Sequence, residues 1–145
     1  MLELRKSVPD EIKAILELES EEDVSAYIVR YTAEMHFEEM RKDDVVYLSI
    51  YARKIFSGFI ILLVEDGGSI EFRRIAVRKR GDGIGQAALN MMEKYCREEL
   101  NSKRVWLDVF QSNVRAQHIY TKMGFTQNGT GSYNGRELLY FEKQL

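Results

Sequence analysis

Ile70-Glu-Phe-Arg-Arg-Ile-Ala-Val-Arg-Lys-Arg-Gly-Asp-Gly-Ile-Gly-Gln86 combines an apolar strand-like run, a burst of cations and three closely spaced glycines. Ile70 and Phe72 are apolar at even positions, but past Arg74 the apolar pair becomes Ile75 and Val77. Strand side chains alternate with period two, so one extra residue is needed to keep both pairs on one face. A β-bulge at Arg73–Arg74 supplies it, bending the strand and leaving backbone groups without ladder partners. The alternative is a strand buried on both faces, where no alternation is expected.

The glycines of Arg80-Gly-Asp-Gly-Ile-Gly85 let the backbone approach a ligand with no Cβ in the way. They open a helix expected over 83–100, whose Ala87, Ala88, Met91, Met92 and Tyr95 form a core stripe. A strand, a glycine loop and a helix N-terminus together make a phosphate cradle. The dinucleotide fingerprint fails because Gln86 holds the third glycine position, although Asp108 could mimic its ribose-binding acid. The Gly-Lys-Ser/Thr of a P-loop is missing from this loop.

Outward from this segment, strands are expected over 45–51, 57–65, 70–77, 104–109, 125–130 and 136–142. Asp66-Gly67-Gly68 marks a hairpin between two of them. Helices are expected after Ser7-Val-Pro-Asp10, which has capping-box spacing, and over 32–41 and 112–123. Early helices, a meander and then alternating strands and helices indicate an α/β (α+β) domain spanning 1–145, a mixed sheet with helices on its faces.

The 145 residues are 45% apolar and 30% charged, with a net charge of −2. That is a globular composition with no general nucleic-acid coat. Residues 1–44 carry 6 basic and 13 acidic side chains, and the remainder 15 and 10. Such polarity suits a cationic ligand near the first third and an anionic one near the rest. The lone Cys96 has no intrachain disulfide partner, and no membrane span or secretory leader is evident, so a cytoplasmic protein is expected.

A second motif lies downstream. Asn113, Ala116 and Tyr120 recur at i, i+3 and i+7, one helical face, and Gly124-Phe125 ends that helix. With the arginine–glycine loop, in this order and separation, the chain resembles the GNAT superfamily of N-acetyltransferases. The short link from Val77 to Arg80 is similar to members acetylating ribosomal-protein N-termini, polyamines or aminoglycosides.

The resemblance implies a mostly antiparallel twisted sheet whose central strands, 75–77 and 105–109, splay around acetyl-CoA. It implies that the amides of Gly81, Asp82, Gly83, Ile84, Gly85 and Gln86 hold the pyrophosphate, assisted by Arg80. Backbone groups of Ile75, Ala76 and Val77 would pair with the pantetheine arm. Asn113 would contact the cosubstrate, Ala116 would let it pass and Lys122 would reach a phosphate. Tyr120 matches the family's acid toward the leaving sulfur, and Glu71 stands where some members carry a general base. His36 is an alternative base. No metal is implied. The acceptor is an amine of a small molecule, or a protein N-terminus or lysine, bound around 27–40 and 128–136. A homodimer is the candidate assembly, with no membrane or nucleic-acid partner. A catalytically silent acetyl-CoA-binding module is the alternative.

Overall fold

Val45-Val-Tyr-Leu-Ser-Ile50 is rich in β-branched and aromatic residues, and it forms the start of a strand buried on both sides. In the computed structural model, which describes residues 1–78 and 83–145, one seven-stranded sheet organises the chain. Its strands are β1 (Leu2–Lys6), β2 (Val45–Ala52), β3 (Ile55–Val64), β4 (Ser69–Val77), β5 (Arg104–Phe110), β6 (Thr126–Tyr133) and β7 (Arg136–Gln144). The order is β1-β2-β3-β4-β5-β7-β6, and only β4 and β5 pair in parallel.

The helices are α1 (Ile12–Glu19), α2 (Glu22–Ser25), α3 (Ala33–Met40), α4 (Ile84–Glu98) and α5 (Val114–Lys122). Two cores flank the sheet. Ala88, Leu89, Met92 and Cys96 of α4, with Tyr120 of α5, pack against Leu48, Ile60, Phe72 and Leu107. On the other face Ile15 and Leu18 of α1 and Val24 of α2 meet Tyr47, Phe59, Ile61 and Ala76. The mixed, mostly antiparallel sheet with helices on both faces matches the expected fold class.

The bulge falls where the alternation breaks. Ile61 pairs with Arg74 and Leu62 with Phe72, so Arg73 is the extra residue. As a result Ile75 and Val77 pack on the same core as Ile70 and Phe72, while Ala76 joins the opposite one. Beside it, Gly58 of β3 lets two backbones close up. A Cβ there would lie 2.4 Å from the Ala76 carbonyl oxygen and 3.1 Å from Val77 Cα.

Local signals place other ends. The Thr32 hydroxyl accepts from the Met35 N–H at 3.2 Å, capping α3. The capping box sits one residue later than expected, because the Val8 N–H donates to Glu11 Oε1 at 2.9 Å and Ser7 instead meets the Ser49 hydroxyl at 2.7 Å. Asn134 and Gly135, both with positive φ, turn β6 into β7. β1 and α2 were not anticipated from the sequence; β1 pairs along β2 from Leu2–Ala52 to Lys6–Leu48. Among the described residues no helix is long and apolar enough to cross a membrane.

The close approach at Gly58 sets an expectation. Gly58→Ala should lower stability by about 1–3 kcal/mol, because the added methyl meets backbone that can yield only by moving β3 from β4. Thermal denaturation measures it, and an unchanged midpoint would show that the strands have slack.

Candidate active site

β4 and β5 begin together and then part. Ser69, Ile70 and Glu71 pair with Arg104, Val105 and Trp106, and no further residues are in register. The closed end is tied down: Arg104 donates to the Ser69 hydroxyl at 2.8 Å and to Glu142 at 2.7 Å, and the Lys103 N–H donates to the Gly68 carbonyl at 2.7 Å. Beyond it the edge of β4 facing β5 has no strand partner, and a cleft of about 1120 Å³ opens.

Most of the residues singled out from the sequence line this cleft. Ile75, Ala76 and Val77 form one wall, paired to β3 by their other edge. Gly83, Ile84, Gly85 and Gln86 bring the start of α4 to the cleft. Gly83 holds φ +79, a conformation that L side chains rarely adopt, and a Cβ there would meet nothing within 4 Å. First-turn amides have no partner within their helix, and the helix dipole is positive at that end. Arg80, Gly81 and Asp82 lie outside the described residues. An open strand edge leading to such a helix start fits an extended ligand with polar amide groups and an anionic end.

Across the cleft, Asn113 caps α5 rather than lying within it: its Oδ1 accepts from the Ala116 N–H at 3.2 Å, leaving its amide NH₂ for other contacts. Ala116 lines the cleft one turn on. Lys122 is exposed at the end of α5 and is not among the residues lining the cleft.

Tyr120 also lines the cleft, with its ring nearly perpendicular to Phe72 at 6.1 Å between centroids and tilted against Phe125 at 5.8 Å. Its hydroxyl makes no hydrogen bond among the described residues. Burial pushes its pKa up, so the phenol keeps its proton.

Glu71 lies in the same cleft, with its Oε1 3.0 Å from Arg73. Arg73 also reaches Glu39 of α3 at 3.2 Å. A second carboxylate, Asp108 of β5, opens into the cleft and has no hydrogen bond or ion pair among the described residues. Desolvation by the cleft walls and then the Glu71 charge raise its pKa, with Arg73 opposing them. The sequence reading considered Asp108 only as a ribose ligand. Its position two residues beyond the last β4–β5 pair depends on where the strands part, for which the sequence carries no local signal.

His36 is fully buried, with Nε2 2.7 Å from Glu19 Oε1 and Nδ1 2.7 Å from the Tyr47 hydroxyl. Both ring nitrogens are occupied away from the cleft, which removes it as the alternative base. Tyr27, Tyr31 and Met35 from the early segment and Tyr133 from the late hairpin reach the same cleft. Among the described residues no group of three or more candidate metal ligands occurs.

A sequence model described as the acetyltransferase (GNAT) family matches residues 12–125. The chain belongs to this family. Spermine/spermidine N(1)-acetyltransferase of Bacillus subtilis is 31% identical over 65 residues, 45% of this chain and 43% of that protein. An uncharacterised N-acetyltransferase of Mycobacterium tuberculosis is 34% identical over 77 residues, 52% of this chain and 49% of that protein. The chain thus spans about half the length of the curated relatives it matches, or less. The crystal structure of spermidine N-acetyltransferase from Vibrio cholerae in complex with CoA and spermine superposes with a TM-score of 0.84 at 20% identity. That superposition covers 99% of this chain and 95% of the other, a likeness of fold.

Cys96, the one thiol of the chain, lies buried on α4 among core side chains. Burial, followed by the Glu93 charge, pushes its pKa up to about 12. The nucleophile of thiol chemistry is the thiolate, so Cys96 offers no acyl-carrying group at neutral pH. Native protein at pH 8 should therefore resist iodoacetamide and gain one carbamidomethyl group only after denaturation. Rapid native labelling in a mass spectrum would contradict this burial.

Proposed function

We propose that this chain is an acetyl-CoA-dependent N-acetyltransferase that moves acetyl directly onto a primary amine of a cationic, polyamine-type acceptor. The observation carrying the proposal is the parting of β4 and β5 beyond Glu71–Trp106, which opens a cleft lined by the start of α4 at one part and Tyr120 at another. Acetyl-CoA, when bound, supplies an activated acyl group on a thiol leaving group.

The residues divide the work by their chemistry. The amide end of α4, with Gly83 to Gln86, suits the pyrophosphate, and Arg80, Gly81 and Asp82, which precede it in the sequence, are assigned to the same ligand by the family resemblance. The free edge at Ile75, Ala76 and Val77 offers backbone groups to the pantetheine amides, and an N–H there can polarise the thioester carbonyl. Asn113 and Ala116 bound the opposite side, and Lys122 remains a phosphate contact only at the periphery.

Glu71 and Asp108 make this part of the cleft suitable for an ammonium group. Glu71, the base position implied by the family resemblance, is already paired with Arg73, which offsets its charge and occupies one carboxylate oxygen. Asp108 is unpaired among the described residues, and its raised pKa brings it closer to a matched acceptor for the ammonium proton. The free amine would then form the N–C bond as the C–S bond breaks, Tyr120 donating its proton to the departing sulfur and the second proton shed by the acylated nitrogen restoring the phenol through solvent. The polyamine class is supported by these carboxylates, by the acidic first 44 residues, and by the names of the relatives.

Tyr120→Phe removes one proton donor and little volume. Single-turnover acetylation should slow by about 10² to 10⁴, while coenzyme A affinity by calorimetry stays within roughly a few-fold. Equal losses in both would make Tyr120 a binding contact. No turnover in the wild type, with coenzyme A bound, would favour the silent module.

Asp108→Asn addresses the base. With the wild type, kcat/KM for spermidine should fall as pH drops through a pKa above the ordinary aspartate value, because protonated Asp108 cannot accept a proton. That acid limb should vanish in the variant, along with about 10² or more of the rate. An unchanged limb would return the role to Glu71 or to water.

A further inference from the structure

Arg74 is a charged side chain in the core on the α1 face of the sheet, 8% exposed, and acetyl transfer as derived above does not use it. The bulge puts it there. Arg73 and Arg74 are consecutive, yet both reach toward the same layer, one to Glu39 of α3 and the other to Glu19 of α1. Glu19 and His36 are fully buried, and the chain of contacts runs from Arg74 to Glu19 to His36 to the Tyr47 hydroxyl.

The guanidinium has a second set of contacts, on the other side. Its Nη2 donates to the Val29 carbonyl at 2.5 Å, and its Cζ lies 4.6 Å from the centre of the Tyr31 ring. Val29 and Tyr31 belong to the segment between α2 and α3, which lines the cleft with Tyr27 and Ile28. Among the described residues no backbone–backbone hydrogen bond joins residues 28–31 to the rest of the chain. The segment is also tied at its start by Arg136, which donates to the Ala26 carbonyl at 3.4 Å, by Ile28 packing on the α1-side core, and by the Tyr31 ring, 5.2 Å from that of His36.

We infer that Arg74 is a positioning residue for the acceptor: its buried guanidinium, held by Glu19, fixes the 26–32 segment as one wall of the cleft. The inference rests on the acetyl-transfer reading and adds to it a determinant of acceptor binding that touches no reacting atom. Arginine suits the task because a rigid fork can hold a carboxylate and a carbonyl at once while stacking on an aromatic ring. A lysine is a single point charge. It can remain beside Glu19 and lose the loop.

Arg74→Lys is therefore the informative change, since it keeps a cation beside the buried Glu19. Tryptic cleavage of the native protein after Arg30, an exposed residue of this segment, should quicken by roughly tenfold, the scale expected for losing a hydrogen bond to a charged group. The spermidine KM should rise by about as much, with kcat and the acetyl-CoA KM near wild type. Cleavage unchanged at Arg30, or a fall in kcat with the spermidine KM unmoved, overturns the inference. If the lysine variant does not fold, Tyr31→Leu removes the ring beneath the guanidinium and its contact with His36, and leaves the Val29 hydrogen bond and the Arg74–Glu19 pair. Cleavage at Arg30 should then quicken by about two- to five-fold, the scale of one cation–π contact, and an unchanged rate again overturns the inference. Cleavage needs no turnover: if the wild type leaves spermidine unmodified, the acceptor reading fails while the cleavage result still decides whether Arg74 holds the loop.

Discussion

One extra residue in β4 sets the phase of both faces of the sheet. Without Arg73 unpaired between Phe72 and Arg74, side chains from 74 onward would exchange layers. Arg74 would point into the apolar packing around α4, and Ile75 and Val77 would face α1. With the bulge, apolar side chains stay on the α4 core and the guanidinium reaches Glu19. Bulges also bend and twist a strand. This one lies just past Glu71, the last β4 residue in register with β5, so the departure of the two strands and the switch of faces share one location.

That arrangement requires a buried charge, and the charge requires its partner. Pairs of this kind add little to stability compared with apolar replacements, yet losing one member costs about 3–5 kcal/mol because the other is stranded. Glu19, His36, Tyr47 and Arg74 come from α1, α3, β2 and β4. Their mutual satisfaction therefore selects one packing of the early helices on the sheet. A hydrophobic cluster would hold those helices as firmly but would tolerate small shifts, because burial has no direction. Hydrogen bonds to two ring nitrogens and a carboxylate do not.

These differences explain what the sequence made legible. The bulge and the main strands follow from local periodicity and glycine placement, and the cleft-lining positions from the family resemblance, while the α4 stripe runs through Ala88, Leu89, Met92 and Cys96 rather than Ala87 and Met91. β1 is five residues long and depends on pairing with β2, some fifty positions away, for its identity. The Ser7–Asp10 box lost to Val8–Glu11 because Ser49 and Tyr51, from a distant strand, recruit Ser7 and Glu11. Nothing in the sequence around Glu19 marks it as buried, since its partner Arg74 stands 55 residues on. Asp108 became a candidate base only once the splay put it opposite Glu71. In each case the missing information was a long-range contact.

The cleft is held by two different kinds of physics. Its α4 side is made of backbone: an open strand edge, the first turn of a helix and a glycine at φ +79. Those groups are fixed by the fold and barely depend on which side chains surround them. The opposite end is made of side chains on an irregular segment and a hairpin tip, joined where Arg136 meets Ala26 and stacks over Phe110 at 3.7 Å. Substitutions there can reshape the wall without disturbing the backbone site. Tyr120 stands between the two, packed by Phe72 and Phe125 of the core rather than by either wall. Under the proposed reaction, a donor anchored in this way would keep its place while the acceptor side changes, so the chemistry and the choice of acceptor could vary separately within one sheet.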